Sequence, residues 1–350
     1  MANIVQYGDI SPRTAAYVVK ELLKRAMPYM CIEKFGQSFP IPLNSTRNAK
    51  FRRYFLTGAT GSAGDGVATS AFFTPLSLTP LLEGVTPQGL KLAFQDYVVQ
   101  LNQYGDFIQI SDVVEDTHED PILSEATQIL SESAAQTFEA IRYNVLKAGT
   151  NVFYGTDDGS PTRAEQKTTI NLDLQRKITT ALNRQNAKLI TSVVSSNTNF
   201  RTEPVEAAYI ALIHPDCETD VRKMAGFIPT KQYGTVTPFE NEIGAVERVR
   251  YLTSTVFTPF PNAGAAVSTD GMRSTGGSNN DVYPMLFLAR DAFGIVPLRG
   301  RDSLTPMVVN PKPAAGDPLG QRGSVGWKAW QAAVILQDAF MVRAEVTALA

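Results

Sequence analysis

The sequence predicts an α+β protein that is broad and flat rather than compact, and three observations carry that reading. The first is one long, isolated helical pattern, in which Ile122, Ala126, Ile129, Leu130, Ala134, Phe138, Ile141 and Val145 recur at helical spacing. The second is extended, β-rich sequence far from it on both sides, at 49–57 and 91–110 and again at 324–346. The third is a region from 170 to 330 in which strand and helix patterns alternate.

In chain order, residues 1–49 read as an arm. Ser11 and Pro12 open a helix whose Ala16, Val19, Leu22, Leu23 and Ala26 share a face, and Pro28 closes it. From 35 to 48 the chain is extended and polar, with Pro40 and Pro42, and is expected to lie on another subunit because it cannot build a core of its own. Residues 50–105 read as a long hairpin. A strand at 49–57 leads into a stretch rich in Gly, Ala, Ser and Thr, Pro87 and Gly89 mark a turn, and 91–110 is two strand stretches expected to hinge near Gly105. Phe72, Phe73, Leu78, Val98 and Val99 are then candidates to pack on a neighbouring molecule.

The long helix has marked ends. Asp120 can cap it, Pro121 suits the first helical position, where no backbone N–H is needed, and Gly149 is the expected stop. About 28 residues at 1.5 Å each give ~42 Å, enough to span a domain. Beyond it, 172–189 reads as an amphipathic helix, 207–214 as a buried strand, 215–225 as a helix, and 247–253 and 285–289 as strands. The polar insertion 262–281 and the Pro- and Gly-rich stretch 304–323 separate these from a β-rich tail at 324–346 whose pattern also admits helix. There are no internal repeats.

Composition sets limits. A chain of 350 residues is too long for one simple core, so two subdomains are expected. A net charge of −2 leaves no broad basic face for tight phosphate binding. Cys31 and Cys217 are the only cysteines and lie far apart, which argues against a disulfide framework and fits synthesis in a reducing cytosol. No apolar run is long enough for a signal peptide or a membrane span.

The order of parts, with arm, long hairpin, spine helix, alternating region and returning strand, resembles the plan of tailed-phage major capsid proteins of the Hong Kong 97 type. The wording is closer still: YGDISPRTAAY at 7–17, EKFGQ at 33–37, KFRRY at 50–54, LLEGVTP at 81–87, QYGDF at 103–107, SDVVEDTHEDP at 111–121 and VLKAGTNVFY at 145–154 resemble the major capsid protein family of N-four-like phages. Past residue 155 the resemblance is carried by HPD at 214–216, GAVERVRY at 244–251 and the closing strand. It implies an N-terminal arm at 1–49, an extended loop hairpin at 50–105 that reaches a neighbour, a peripheral domain at 106–165 and 311–350 containing the spine helix, and an axial domain at 166–310. It also implies a structural subunit that self-assembles into the hexamers and pentamers of an icosahedral phage head enclosing double-stranded DNA. The implied partners are further copies of itself, a separate scaffolding protein, a portal, a decoration protein, and DNA held by weak non-specific contact, with no membrane. The place is the virion, after assembly in the host bacterial cytoplasm.

The residues that invite chemistry have plainer readings. TGATGSAG at 57–64 looks like the phosphate turn of short-chain dehydrogenases, but that turn needs a helix after it, and DGVATSAFFTPLSLTP is full of β-branched residues and prolines. The acidic run Glu115, Asp116, His118, Glu119 and Asp120 matches no metal-ligand spacing and suits the N-terminus of the long helix. His214 and Cys217 are close, yet no third partner or oxyanion loop is identifiable, and a strand-to-helix turn explains them. Arg52, Arg53, Arg299 and Arg301 suit ion pairs between subunits as well as phosphate contact. No catalytic, cofactor-binding or metal-binding residue is therefore expected, and the protein is not expected to be an enzyme. The alternatives are an encapsulin-like nanocompartment shell, which would enclose cargo enzymes, and a nucleotide-dependent oxidoreductase resting on the glycine-rich turn.

Overall fold

The computed structural model describes residues 30–41, 46–57, 83–85, 91–112, 122–156, 161–194, 202–234, 237–267, 271–297, 305–309, 313 and 318–350. Asp120, Pro121, the glycine-rich turn after Thr57, the acidic run 115–120, the helix expected at 11–28, the apolar residues Phe72, Phe73 and Leu78, and Arg299 and Arg301 lie outside them.

The long helical pattern folds as one helix, α1 (Ile122–Lys147), ~39 Å long at 1.5 Å per residue. The shorter helices are α2 (Leu172–Arg184) and α3 (Glu218–Arg222). The strands, in chain order, are β1 (Gln37–Ser38), β2 (Asn48–Thr57), β3 (Lys91–Gln100), β4 (Asn102–Ser111), β5 (Val152–Tyr154), β6 (Ile190–Val194), β7 (Thr202–Ile213) and β8 (Phe227–Pro229). They continue as β9 (Glu242–Val246), β10 (Val249–Thr253), β11 (Tyr283–Leu288), β12 (Phe293–Pro297), β13 (Thr305–Val309), β14 (Arg322–Ile335) and β15 (Met341–Val346).

Three sheets result among the described residues. The hairpin β2–β3 pairs antiparallel over its whole length, from Asn48 with Gln100 to Thr57 with Lys91. A five-stranded sheet runs β1–β12–β14–β13, with β4 on the other side of β14. An eight-stranded sheet runs β5–β15–β11–β7–β10–β9–β8, with β6 also on β7.

The eight-stranded sheet is buried on both faces, and the period of two along its strands sorts its side chains. Tyr209, Ala211 and Ile213 of β7 point with Tyr251, Met285, Phe287 and Val342 toward α2, whose Leu174, Ile178 and Leu182 complete that core. Ile210, Leu212, Leu286 and Leu288 point the other way, onto Tyr143 and Leu146 at the end of α1. Earlier turns of α1 lie on the five-stranded sheet instead: Ala126, Leu130, Ala134 and Phe138 meet Val325, Trp327 and Ala329 of β14 and Ile110 of β4. Phe138 and Trp327 meet edge to face at 5.3 Å. One helix therefore contributes to two separate cores.

Several expectations need correction. Of the segment 35–48 expected on another subunit, Phe35 is instead buried in the core under the eight-stranded sheet, β1 pairs parallel with β12, and Ile41 is buried against Val296 and Leu101. The hinge before β4 falls at Leu101, not Gly105. Gly105 instead lets two strands approach, since a Cβ there would sit 2.7 Å from the Trp327 carbonyl oxygen. Gly149 follows the helix end without a left-handed conformation. A side chain there would meet Met341 at 2.5 Å and Asp338 at 2.9 Å, so the position needs glycine for close packing. α2 ends at Arg184, before 189, with Asn186 in the left-handed region at φ 52°. A strand, β9, precedes the one expected at 247–253, and another, β13, lies inside the Pro- and Gly-rich stretch. The tail is two strands in different sheets, β14 with β4 and β15 with β11, so strand pairing cuts across a division of the chain near residue 310. No helix among the described residues is long and apolar enough to cross a membrane.

Candidate assembly surfaces

The hairpin has two unlike faces. On one, Ala49, Phe51 and Val99 pack with Leu101, Ile41, Val296, Ala332 and Trp330, which anchors its base on the chain's own core. Val99, a candidate to pack on a neighbouring molecule, therefore packs on its own subunit instead. On the other face the cross-strand pairs are Lys50 with Val98, Arg52 with Asp96 and Tyr54 with Phe94. Arg52 grips Asp96 through two hydrogen bonds of 2.8 and 3.1 Å, and Lys50 joins them at 2.5 Å. These hydrogen bonds, from Arg52 first and Lys50 second, hold the Asp96 carboxyl down to about 2. Tyr54 and Phe94 touch ring to ring at 6.5 Å, yet both remain more than half exposed, as does Val98 at 62%.

A second apolar surface lies on the five-stranded sheet. Residues paired across a sheet share a face, so Phe107 of β4, Gly326 of β14 and Met307 of β13 form one row opposite the spine helix. Gly326 leaves the middle of that row bare, and Phe107 and Met307 wall a groove of 480 Å³ with Val309 and Lys328 at its margins. Phe107 is 62% exposed, and Met307 and Val309 are also exposed. An apolar row of this kind, next to an exposed outer strand, is unusual for a chain that stays single.

The remaining polar clusters serve the fold. His214 accepts a hydrogen bond from the Asp216 backbone N–H at 3.2 Å, Tyr283 donates to Asp216 at 2.8 Å, and Arg273 pairs with Asp216 at 2.7 Å. Burial lowers the His214 pKa, and burial first, then Asp220 and Asp216, raises that of Cys217 well above the ordinary thiol range. A fully buried thiol so disfavoured as thiolate is a core residue, not a nucleophile. Glu242 and Arg250 form a buried bidentate pair at 2.6 and 2.7 Å, with Tyr233 also donating to Glu242. Asp281 ties the 262–281 insertion together by accepting from the Asn262 and Thr275 backbone N–H groups at 2.7 and 2.8 Å. Sequence reasoning missed the charges inside α1: Glu139 and Arg142 are both buried, near Glu33.

A spine helix shared by two cores, a projecting hairpin and unpartnered apolar faces describe a building block, and the family comparison agrees. The sequence model of the phage capsid protein family matches residues 95–344. This chain belongs to the phage capsid protein family. Solved phage capsids share the fold. The capsid of Ralstonia phage GP4 aligns with a TM-score of 0.63 at 12% identity, over 91% of this chain and 90% of that one. The capsid of cyanophage P-SCSP1u aligns at 0.56 and 13% identity, over 91% and 88%. The head protein of Helicobacter pylori bacteriophage KHP40 aligns at 0.55 and 12% identity, over 91% and 88%. At such identities the likeness is one of fold, and that fold is the Hong Kong 97-like α+β arrangement. A search of curated proteins finds no match. This capsid protein is a structural shell subunit of the virion that assembles with copies of itself, and it is not an enzyme. The family match favours the phage shell over the nanocompartment reading and leaves the oxidoreductase reading without support.

Proposed function

We propose that this capsid protein forms hexamers and pentamers of an icosahedral head around double-stranded DNA, assembled in the bacterial cytoplasm with a separate scaffolding protein and a portal. A decoration protein is a further partner in this reading. The eight-stranded sheet with α2 serves as the axial part, and the five-stranded sheet with the spine helix as the peripheral part. The exposed Tyr54–Phe94 face of one hairpin rests on a neighbouring molecule.

The observation that supports this reading most directly is the Phe107–Gly326–Met307 row, an exposed apolar surface on a sheet whose other face is already filled by α1. Interfaces of roughly 1,200–2,000 Å² each, repeated around a capsomer, give a stable shell without any one very tight contact. A net charge of −2 suits a wall that confines DNA rather than gripping it.

Phe107→Glu tests the surface. Phe107 is exposed, so the subunit's own stability should change by only ~0.5 kcal/mol. Shells counted by electron microscopy should be lost. Normal shells at normal yield from the Phe107→Glu chain would refute the assembly role of this face.

A further inference from the structure

The buried charges on the spine helix sit under the segment that leads in from residue 30. Glu139 is fully buried on α1. Its Oε1 accepts hydrogen bonds from the backbone N–H groups of Cys31 at 2.9 Å and Ile32 at 2.8 Å, and so holds the first turn of the short helix Ile32–Phe35. Its Oε2 has no hydrogen-bond partner. The nearest cation is Arg142, one turn on, but its Nη1 lies 3.9 Å from Glu139 Oε2 and only 3.0 Å from Glu33 Oε2. Lys34, the other cation of the segment, pairs with Glu240 at 2.9 Å. Around Glu139 the thiol of Cys31 is neutral, pushed up to about 11 by burial and by Glu139 itself. Cys31 and Ile32 are packed with Leu212, Leu286, Phe293 and Ile295 of the strands, and the one polar side chain in contact with the Cys31 sulfur among the described residues is Asn241, whose amide donates to it at 3.6 Å.

Two carboxylates thus share one guanidinium, and the exposed one lies nearer to it, although none of the three guanidinium nitrogens has a hydrogen-bond partner. The buried one keeps an oxygen without a partner in an apolar surround, where an unpaired charge is strongly disfavoured. We propose that seating residues 31–35 on the spine helix takes up a proton at Glu139, which makes this seat a pH-sensitive latch that tightens as pH falls and loosens as pH rises.

The sign follows from linkage. Burial, the largest cause, pushes the Glu139 carboxyl up from 4.5 to about 7, against the opposing pull of Arg142 and the two N–H groups. When the segment lifts off, Glu139 meets water and returns toward its ordinary value. The seat is then at full strength below ~4.5, weakens as pH rises toward about 7, and changes little above that, by up to about tenfold in the opening equilibrium per pH unit within the window.

Cys31 reports the opening, because it is buried when the segment is seated and lies next to its anchor. The intact chain is labelled with a pyridyl disulfide from pH 5.5 to 8, and the Cys31 and Cys217 peptides are separated by mass spectrometry. The Cys31 rate in the natural chain is divided by that in Glu139→Gln at each pH, which cancels the intrinsic pH dependence of the thiol. The amide of that variant still offers an oxygen to both N–H groups but cannot titrate. The ratio should rise at least tenfold from pH 5.5 to 7 and then flatten. A ratio that is constant, or that rises toward acid, overturns the proposal, the latter meaning that Glu139 is ionised against Arg142 when seated. If Glu139→Gln does not fold, Glu33→Gln serves as reference, since it frees Arg142 for Glu139 and should flatten the dependence; an undiminished dependence in that variant also overturns it.

Discussion

Phe138 sits where α1 crosses β14, wholly buried and edge-on to Trp327. Truncating it removes the largest apolar side chain that the helix presents to the five-stranded sheet, so Phe138→Ala should lower subunit stability by ~3–5 kcal/mol. Chemical denaturation of the unassembled subunit measures this, and a loss under ~1 kcal/mol would mean that the site collapses around the gap. The position is legible in the sequence because Ala126, Leu130, Ala134 and Phe138 fall on one stripe. Ile129 shares the apolar character but not the stripe, and it is 59% exposed. Glu139 and Arg142 are not legible, because a charged pair inside a helix reads as a solvated face. Their burial depends on Cys31 and Ile32 arriving from a hundred residues earlier in the chain. The candidate surface is half visible in the same way: Val98 is exposed as expected, whereas Phe107, Met307 and Gly326 become neighbours only through strand pairing.

At the scale of elements, local patterns carry further than pairings. The hairpin strands, α1 and α2 can be read from alternation and helical period, since both signals lie within a few residues. Gly105 reads wrongly as a hinge because a glycine within a strand pattern signals a bend or a close approach equally well. Only the position of Trp327 across the sheet decides between them. β13 is hidden among prolines, and the tail cannot be divided between β14 and β15 from composition alone. The hairpin offers the clearest test at this scale. Tyr54 and Phe94 are exposed while Ala49, Phe51 and Val99 hold the base. A Tyr54→Ser, Phe94→Ser double variant should melt within a few degrees of the natural subunit, yet form shells at a much reduced yield in sedimentation. A large fall in melting temperature would mean that this face is packed on its own chain.

For the whole molecule, the faces proposed for assembly expose Phe107, Met307, Val98, Tyr54 and Phe94, their charged members Lys50, Arg52 and Asp96 are paired with one another, and the net charge is close to zero. Charge–charge contacts between surfaces are screened within ~3 Å at 1 M salt, whereas apolar contacts are not. Assembled shells should therefore keep their light scattering when salt is raised from 0.1 to about 1 M. Dissolution by salt alone would show that exposed ion pairs, not the apolar faces, hold the copies together.

The groove on the five-stranded sheet also has a consequence in time. Its walls come from β4, β13 and β14, and β14 pairs from Arg322 back to Ser111 of β4, while β1 reaches Gly294 and Ile295 of β12. Contacts between segments so distant in sequence form late, after most of the loop between them has been closed. If the groove is the docking row proposed above, a nascent or half-folded chain has no finished row to offer for specific assembly. On that reading the topology works as a quality check, keeping incomplete molecules out of a growing wall.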